Sequence, residues 1–194
     1  MQLVVLGLNH RSAAVEVRER FSFEKNEVES ALNRLYEYEK ISECVILSTC
    51  NRTEIYAVLE DVQSPKAYML DVLKHLKHAD TIDESAFFFY EEKACIEHLF
   101  RVSASLDSLV LGEGQILSQL KGAYIAAYSA GFTGTVFNTC SNVLLVLVKR
   151  FGPIQALRIH LCLVSYTAVN LAEDSLGQTT FRSNSSHLRG RHHE

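Results

Sequence analysis

Residues 44–59 read CVILSTCNRTEIYAVL, and this stretch decides the fold of the 194-residue chain. An apolar run over 44–47 and an alternating run over 53–59 are both typical of β-strands. The residues between them include Asn51, and asparagine tolerates the left-handed backbone of a tight turn. We therefore predict a β-hairpin that carries Cys50 in its turn.

The segments on either side of this hairpin extend it to six elements. The apolar, β-branched run Leu3–Leu8 predicts a buried strand, and residues 24–40 carry the apolar stripe of a helix. Ser64 and Pro65 begin a second long helix, and Ala86–Tyr90 predicts a fourth strand. The order strand, helix, strand, strand, helix, strand is typical of an α+β, ferredoxin-like βαββαβ fold, with an antiparallel sheet and two helices on one face.

A helical extension is predicted to follow the sheet. Apolar spacing indicates helices over about 92–111 and 115–130, and a third helix that begins near residue 134. Beyond Cys140 the stripe is lost, and the last residues are almost entirely polar.

These patterns divide the chain into four segments. In chain order they are 1–138, a domain made of the βαββαβ sheet (1–91) and helices (92–138); 139–163, without a clear pattern; 164–177, a short helix; and 178–194, a tail that we expect to be disordered.

Composition excludes several classes of protein. The net charge of -4 argues against a generic polyanion-binding surface, and no apolar run reaches the roughly 18–20 residues that a membrane span requires. The N-terminus lacks the features of a signal peptide, and the five cysteines show no paired spacing, so we expect free thiols in a reducing cytoplasm. No metal-ligand motif such as CxxC or HExxH occurs, so we expect no metal site.

Cys50 is the first candidate for chemistry. A cysteine in a turn is accessible, and Arg52 together with turn N–H groups would favour its thiolate form. The alternative is that Cys50 is a small turn residue without a role. Cys44 and Cys95 lie within apolar patterns and are expected in the core.

Two further features are weaker signals. His98 lies on a helical face beside Leu99 and Val102, where a histidine is either a packed core residue or an acid/base group. Four polar residues flank a glycine-containing break between predicted helices, where a carboxylate could be held or where there is only a loop: Ser108, Glu113, Gln115 and Gln119.

Several stretches together resemble the N-terminal catalytic domain of glutamyl-tRNA reductases. They are GLNHRSA (7–13), VRER (17–20), LSTCNRTE (47–54), HLFRV (98–102) and LDSLVLGE (106–113). The likeness covers about residues 3–138 with the motifs in order, and it independently supports the ferredoxin-like prediction.

The resemblance implies a reaction. The family converts glutamyl-tRNA into glutamate-1-semialdehyde for tetrapyrrole (porphyrin) synthesis, with NADPH as reductant. Cys50 matches the nucleophile that forms an enzyme thioester, whose carbonyl accepts hydride more readily than the ester does. His98 matches a histidine that acts as an acid/base or positioning group.

The resemblance also implies a pocket for the glutamyl group. Its members are Thr49, Asn51, Arg52, Ser108, Glu113, Gly114, Gln115 and Gln119. The Arg52 guanidinium suits a bidentate bond to a substrate carboxylate. Gly114 stands where the family usually has proline, so the loop that carries it is expected to be less rigid.

The family's NADPH-binding domain would begin after about Gly177, but no GxGxxG motif follows there, and the helices by which the family forms homodimers are absent. We therefore expect no NADPH site in this chain, and an activity limited to thioester formation and ester hydrolysis. Two alternatives stay open. One is an inactive fragment, and the other is a non-catalytic RNA-binding module of the same strand order, which would need aromatic side chains on its central strands.

Overall fold

The computed structural model describes residues 1–35, 37–107 and 115–151. Its elements in chain order are β1 (Gln2–Asn9), α1 (Val15–Phe21), α2 (Lys25–Leu35), β2 (Ile41–Ser48), β3 (Arg52–Leu59), α3 (Pro65–Lys77), a 3₁₀ helix (Glu84–Ala86), β4 (Phe88–Glu91), α4 (Glu92–Ser103), α5 (Gln115–Ser129) and α6 (Thr135–Phe151). None of the helices within these ranges is long and apolar enough to cross a membrane.

The four described strands form one antiparallel sheet in the order β2-β3-β1-β4. The predicted hairpin is confirmed: β2 and β3 pair from Ile41 opposite Leu59 to Ser48 opposite Thr53, and the turn between them contains Cys50. With its helices the sheet gives the α+β class expected from the sequence. Strand β3 is central and is fully paired with β1 from Arg52 to Leu59.

Strand β3 is buried on both faces. Every residue from Arg52 to Leu59 is buried. Since successive side chains point to opposite faces of a sheet, helices must cover both. Helices α2 and α3 pack on β2 and β1, while α4 packs on β1 and β4 and α5 packs on β2. The polar side chains of β3 therefore need partners inside the protein.

Several predicted boundaries differ from the structure. The seven residues of α1 were not predicted because two helical turns are too short to show a periodic stripe. Helix α2 covers Lys25–Leu35, whereas the sequence predicted a helix over 24–40. Glu37 and Tyr38 donate their N–H groups to carbonyls three residues back, which are turn bonds. Strand β4 begins two residues later than predicted, after the 3₁₀ helix. Helix α6 continues through Cys140, where the sequence predicted a change.

Helix α4 ends at Ser103 within the segment predicted as helix up to residue 111. Ser105 takes a left-handed backbone (φ 59°), and the N–H of Leu106 donates to the carbonyl of Arg101. This is the closure of a Schellman turn, which stops the helix and reverses the chain. Residues 108–111 lie outside the described ranges. The turn brings Asp107 back toward the sheet, where it contacts Arg52.

The α5–α6 connection closes the β2 edge of the sheet. The N–H of Cys44 donates to the carbonyl of Phe132, and the Glu43 carboxylate accepts the N–H groups of Val136 and Phe137 at 2.9 Å each. Glu43 thus caps the first turn of α6, where a negative charge is favourable. A side chain at Gly134 would collide with it, since a Cβ there would lie 2.7 Å from Glu43 Oε1.

Candidate active site

The turn that carries Cys50 is shaped by Thr49. Its Oγ1 accepts the N–H groups of Asn51 (3.2 Å) and Arg52 (3.1 Å), and its own N–H donates to the Arg52 carbonyl. The sequence predicted that such N–H groups would face the Cys50 sulfur. The N–H groups of Asn51 and Arg52 are instead bound to the Thr49 hydroxyl, since threonine side chains commonly accept backbone N–H groups a few residues along the chain. Cys50 itself is exposed.

Cys50 differs from the other described cysteines in its surroundings. Cys44, Cys95 and Cys140 are buried, as the apolar patterns predicted for the first two. Burial raises the pKa of all three thiols, that of Cys140 to about 12. At neutral pH these thiols are protonated and shielded from solvent, so Cys50 is the accessible sulfur of this group. Cys162 lies outside the described residues.

Arg52 anchors a buried ionic cluster at the start of β3. Its side chain is 2% exposed, and Nη1 lies 2.7 Å from Glu54 Oε1 and 3.1 Å from Asp107 Oδ2. Nη2 also donates to the Asp107 carbonyl. Burial lowers the pKa of Arg52, but the two carboxylates outweigh it and raise that pKa, so the guanidinium is charged. The positive charge predicted to stabilise the Cys50 thiolate is therefore directed at Glu54 and Asp107.

Glu54 is the centre of this cluster and is fully buried. Besides Arg52 it accepts the Tyr56 hydroxyl at 2.6 Å and contacts Nε2 of His98 at 3.0 Å. Burial raises the pKa of Glu54, but the bond and charge of His98, the charge of Arg52 and the Tyr56 hydroxyl together hold it below its usual value. An ionised Glu54 accepts from Nε2, which places a proton on that ring nitrogen.

His98 is buried on α4, among aromatic rings. The ring centroids of Phe88 and Tyr90 lie 4.9 Å and 5.1 Å from its own, and that of Tyr56 lies 6.5 Å away. Glu54 and these rings together fix the orientation of the imidazole. The ring is therefore packed in the core and also bonded to a carboxylate, and its acid/base role stays a prediction.

Asp107 joins three distant segments of the chain. Besides Arg52, its carboxylate accepts from Asn9 Nδ2 (3.3 Å) and Arg11 Nη1 (3.1 Å). Asn9 Oδ1 in turn accepts the N–H groups of Arg11 and Ser12 and so holds the loop after β1. The ends of β1, β3 and α4 therefore meet at one carboxylate.

Residues 6–151 match the family model described as "Glutamyl-tRNAGlu reductase, N-terminal domain". The chain belongs to this family.

Relatives of this reductase-family chain include longer proteins named glutamyl-tRNA reductase. The protein from Geobacillus kaustophilus is 38% identical over 179 residues, covering 92% of this chain and 39% of the relative. The one from Geobacillus thermodenitrificans is 39% identical over 196 residues, covering 99% and 40%. The solved glutamyl-tRNA reductase from Methanopyrus kandleri superposes with a TM-score of 0.63 at 29% identity, covering 76% of this chain and 33% of that one. This chain thus spans about two fifths of the length of these curated relatives.

The structure places only some of the pocket residues that the reductase resemblance implied. Thr49, Asn51 and Arg52 lie together at the hairpin, and Arg52 is linked to His98 through Glu54. Gln115 and Gln119 are exposed on α5. Three of the implied residues lie outside the described ranges: Ser108, Glu113 and Gly114. A bond from Arg52 to a substrate carboxylate would require one of its present bonds to open.

Sequence reasoning missed three members of the reductase-family site: Glu54, Tyr56 and Asp107. A glutamate in the middle of a buried strand was the available signal, because a buried carboxylate must find donors. Gly7 was quoted only as part of a motif. A Cβ at Gly7 would lie 2.6 Å from Phe88 Cζ and 2.9 Å from Glu54 Cγ. Glycine therefore leaves the space on β1 that these two side chains occupy.

Three side chains of the cluster are of types that can bind a metal ion. Glu54, His98 and Asp107 offer ligand atoms within 4.8 Å of one another. Arg52 Nη1 already bonds both carboxylates and supplies the positive charge that a cation would bring. Within the described part of the chain, the bonds of Arg52 to the two carboxylates and of His98 to Glu54 explain why these three side chains lie close together.

Proposed function

We propose that this chain carries the acyl-transfer step of a glutamyl-tRNA reductase, with Cys50 as the nucleophile. The observation that carries the proposal is an exposed cysteine in a turn adjoining a buried Arg52–Glu54–His98 network, in a chain that belongs to the family. The turn gives the sulfur access to a large substrate. The buried network gives the adjoining hairpin a rigid base.

The proposed step transfers the glutamyl group from a ribose oxygen to the Cys50 sulfur. The Cys50 thiolate attacks the ester carbonyl of glutamyl-tRNA, a carbon–sulfur bond forms, and the ester carbon–oxygen bond breaks. The ribose oxygen leaves and must gain a proton, while the Cys50 thiol must lose one. We assign the transfer of this proton to His98.

Glu54 is a positioning residue for His98 in this proposal. It holds the ring through Nε2, at 3.0 Å, and leaves Nδ1 as the nitrogen that gains and loses a proton. The surrounding rings of Phe88 and Tyr90 restrict rotation of the imidazole. The bond and charge of His98, the charge of Arg52 and the Tyr56 hydroxyl together outweigh burial and keep Glu54 ionised, with its pKa below the usual value.

NADPH would supply hydride to the thioester, which releases the aldehyde and returns the Cys50 thiolate. The sequence contains no GxGxxG motif, the glycine-rich turn at which a dinucleotide-binding domain commonly holds the phosphates. We propose that the thioester formed by this chain is lost by hydrolysis, at a rate that added NADPH does not change.

Two finer assignments accompany this proposal. The strand order β2-β3-β1-β4 supports placing the sheet in the ferredoxin-like class. The free thiols support a reducing compartment such as the cytoplasm. Stacking of RNA bases on the sheet is disfavoured, because both faces of central strand β3 are covered and its aromatic residue, Tyr56, is 1% exposed.

The decisive experiment is to trap the thioester. The chain is incubated with glutamyl-tRNA without NADPH, quenched in acid and analysed by peptide mass spectrometry. We expect one glutamyl adduct on Cys50, its loss in Cys50→Ser, and its retention in the control Cys140→Ala. An adduct on another cysteine, or no adduct on the folded protein, would overturn the proposal.

A further inference from the structure

A cleft of about 480 Å³ opens beside the ionic cluster, between α4, β4 and the loop after β1. His98 and Asp107 form part of its lining, and Tyr90, Arg11 and Arg101 lie around it. Cys50 is not among its lining residues. The cleft is therefore lined by the proposed acid/base residue His98 and not by the nucleophile itself.

One wall of the cleft is an aromatic platform. Tyr90 lies on the edge strand β4 and is 38% exposed. Its ring stacks on that of Phe88, with centroids 5.3 Å apart and planes at 25°. An exposed ring that is held by a second ring offers a fixed surface on which a flat heterocycle can stack.

The remaining lining carries charges of both signs. Arg101 and Glu97 are exposed on α4, and the Arg11 side chain is 57% exposed while it bonds Asp107. Guanidinium groups bind phosphate, and a carboxylate accepts from amino and hydroxyl groups. Aromatic, cationic and acceptor groups together match a nucleotide better than a simple carboxylate.

The cleft and Cys50 lie at the same end of the sheet. Asn9, which lines the cleft, pairs with Arg52 at the start of β3. The next residue, His10, donates its N–H to the carbonyl of Asn51 at 3.0 Å, directly beside Cys50. A substrate with its ester carbonyl at Cys50 can thus place the group on the far side of the ester in the cleft.

We propose that this cleft binds the 3′-terminal nucleoside of the aminoacyl-tRNA, with its base stacked on Tyr90 and its phosphate against Arg101 and Arg11. The inference rests on the proposed function, because it assigns a place to the leaving group of that reaction. It separates recognition of the nucleoside from recognition of the glutamyl group.

The test compares three acyl donors on the full chain: glutamyl-tRNA, 2′(3′)-O-glutamyl-adenosine and glutamate methyl ester. The second-order rate constant for acylation of Cys50 is measured for each. For Tyr90→Ala and Arg101→Ala we expect a fall of about 5-fold to 100-fold with glutamyl-tRNA, and for Tyr90→Ala a similar fall with glutamyl-adenosine. The methyl ester should react with Arg101→Ala at the wild-type rate. Because the Tyr90 ring also contacts His98, Tyr90→Ala is judged by its ratio, and it should lose more with glutamyl-adenosine than with the methyl ester.

Two controls sharpen the comparison. Tyr90→Phe keeps the ring and should restore the wild-type rate with glutamyl-adenosine. Lys93→Ala removes an exposed cation from α4 outside the cleft and should leave all three rates unchanged. Arg101 is exposed, so its variant keeps the test available if Tyr90→Ala fails to fold.

Other outcomes overturn the inference. An equal loss with all three donors would place the glutamyl group in the cleft or show a general defect. Unchanged rates of both variants with glutamyl-tRNA would show that no nucleoside binds there. Failure of the wild type to form a thioester with any donor would instead overturn the proposed function, which distinguishes the two failures.

Discussion

Thr49 shapes the hairpin turn through bonds to residues two and three positions away, whereas Arg52, at the next strand, is fixed by Asp107, 55 residues along the chain. The turn is open to solvent at Cys50, and the cluster around Arg52 is closed to it. A substitution in the turn therefore disturbs few groups. A substitution in the cluster leaves a buried charge without its partner, which is costly.

The largest contrast should be seen in thiol reactivity. With a limiting amount of an alkylating reagent at pH 7, we expect Cys50 to be modified at least about 1000-fold faster than Cys140, whose pKa is raised by burial to about 12. Cys44 and Cys95 should be equally slow because they are buried and their pKa values are raised. Peptide mapping over time measures the four rates. Early labelling of Cys44 or Cys95 in the folded protein would contradict the contrast.

The next effect concerns the free energy of unfolding. Glu54→Ala removes the acceptor shared by Arg52, Tyr56 and His98, so the buried guanidinium loses one of its two carboxylates. We expect a loss of about 3–5 kcal/mol, measured by denaturant titration. Glu60→Ala, at an exposed glutamate that follows β3, is the matched control and should change stability by less than about 0.5 kcal/mol. Equal losses in both variants would show that the buried Glu54 contributes no more to stability than the exposed Glu60 does, which would contradict the prediction.

The same contrast explains which parts were predictable from the sequence. The β2–β3 hairpin, helix α5 and the starts of α3 and α6 follow from local periodicity and turn chemistry, so the sequence predicted them within a few residues. Helix α1 has no long stripe and was missed. Among site residues, Cys50 was found from its turn. Asp107 was not, because its role depends on the reversal of the chain after α4, which places it beside Arg52.

The pairing of Glu54 with His98 could not be predicted from a local sequence pattern either. The two residues are 44 positions apart, and the alternation of β3 indicated only that Glu54 shares a face with Tyr56. Which helix would cover that face depends on how α4 follows β4. The family resemblance supplied the importance of His98 and Arg52, but the resemblance did not supply the carboxylate that joins them.

A smaller effect on stability is expected at Gly7, the β1 residue against which Phe88 and Glu54 pack. In Gly7→Ala the new Cβ collides with the Phe88 ring and with Glu54 Cγ, and we expect a loss of about 1–3 kcal/mol in the free energy of unfolding. Gly122→Ala is the matched control, since a Cβ there meets nothing within 4 Å and the residue lies inside helix α5. That substitution should stabilise by about 0.5–1 kcal/mol. Opposite signs in one melting experiment would confirm the steric role of Gly7.

The last effect is the pH dependence of stability, which tests the charge of the cluster and leaves its shape intact. Because the folded-state pKa of Glu54 lies below its ordinary value, ionisation of Glu54 stabilises the fold fully above the unfolded value of about 4.3. This contribution is lost as the pH falls from that value through the lower folded pKa. Glu54→Gln keeps the shape of the side chain but cannot titrate.

The measurement is the free energy of unfolding of wild type and Glu54→Gln between pH 7 and the acid limit of folding. Exposed groups with lowered pKa values, Glu27 and Asp83, contribute equally to both proteins and cancel in the difference. We expect the advantage of the wild type to be constant near neutral pH and to shrink below about pH 4.3. A difference that stays constant into acid would show that Glu54 acts only through its shape, and the ionic description of the cluster would then be wrong.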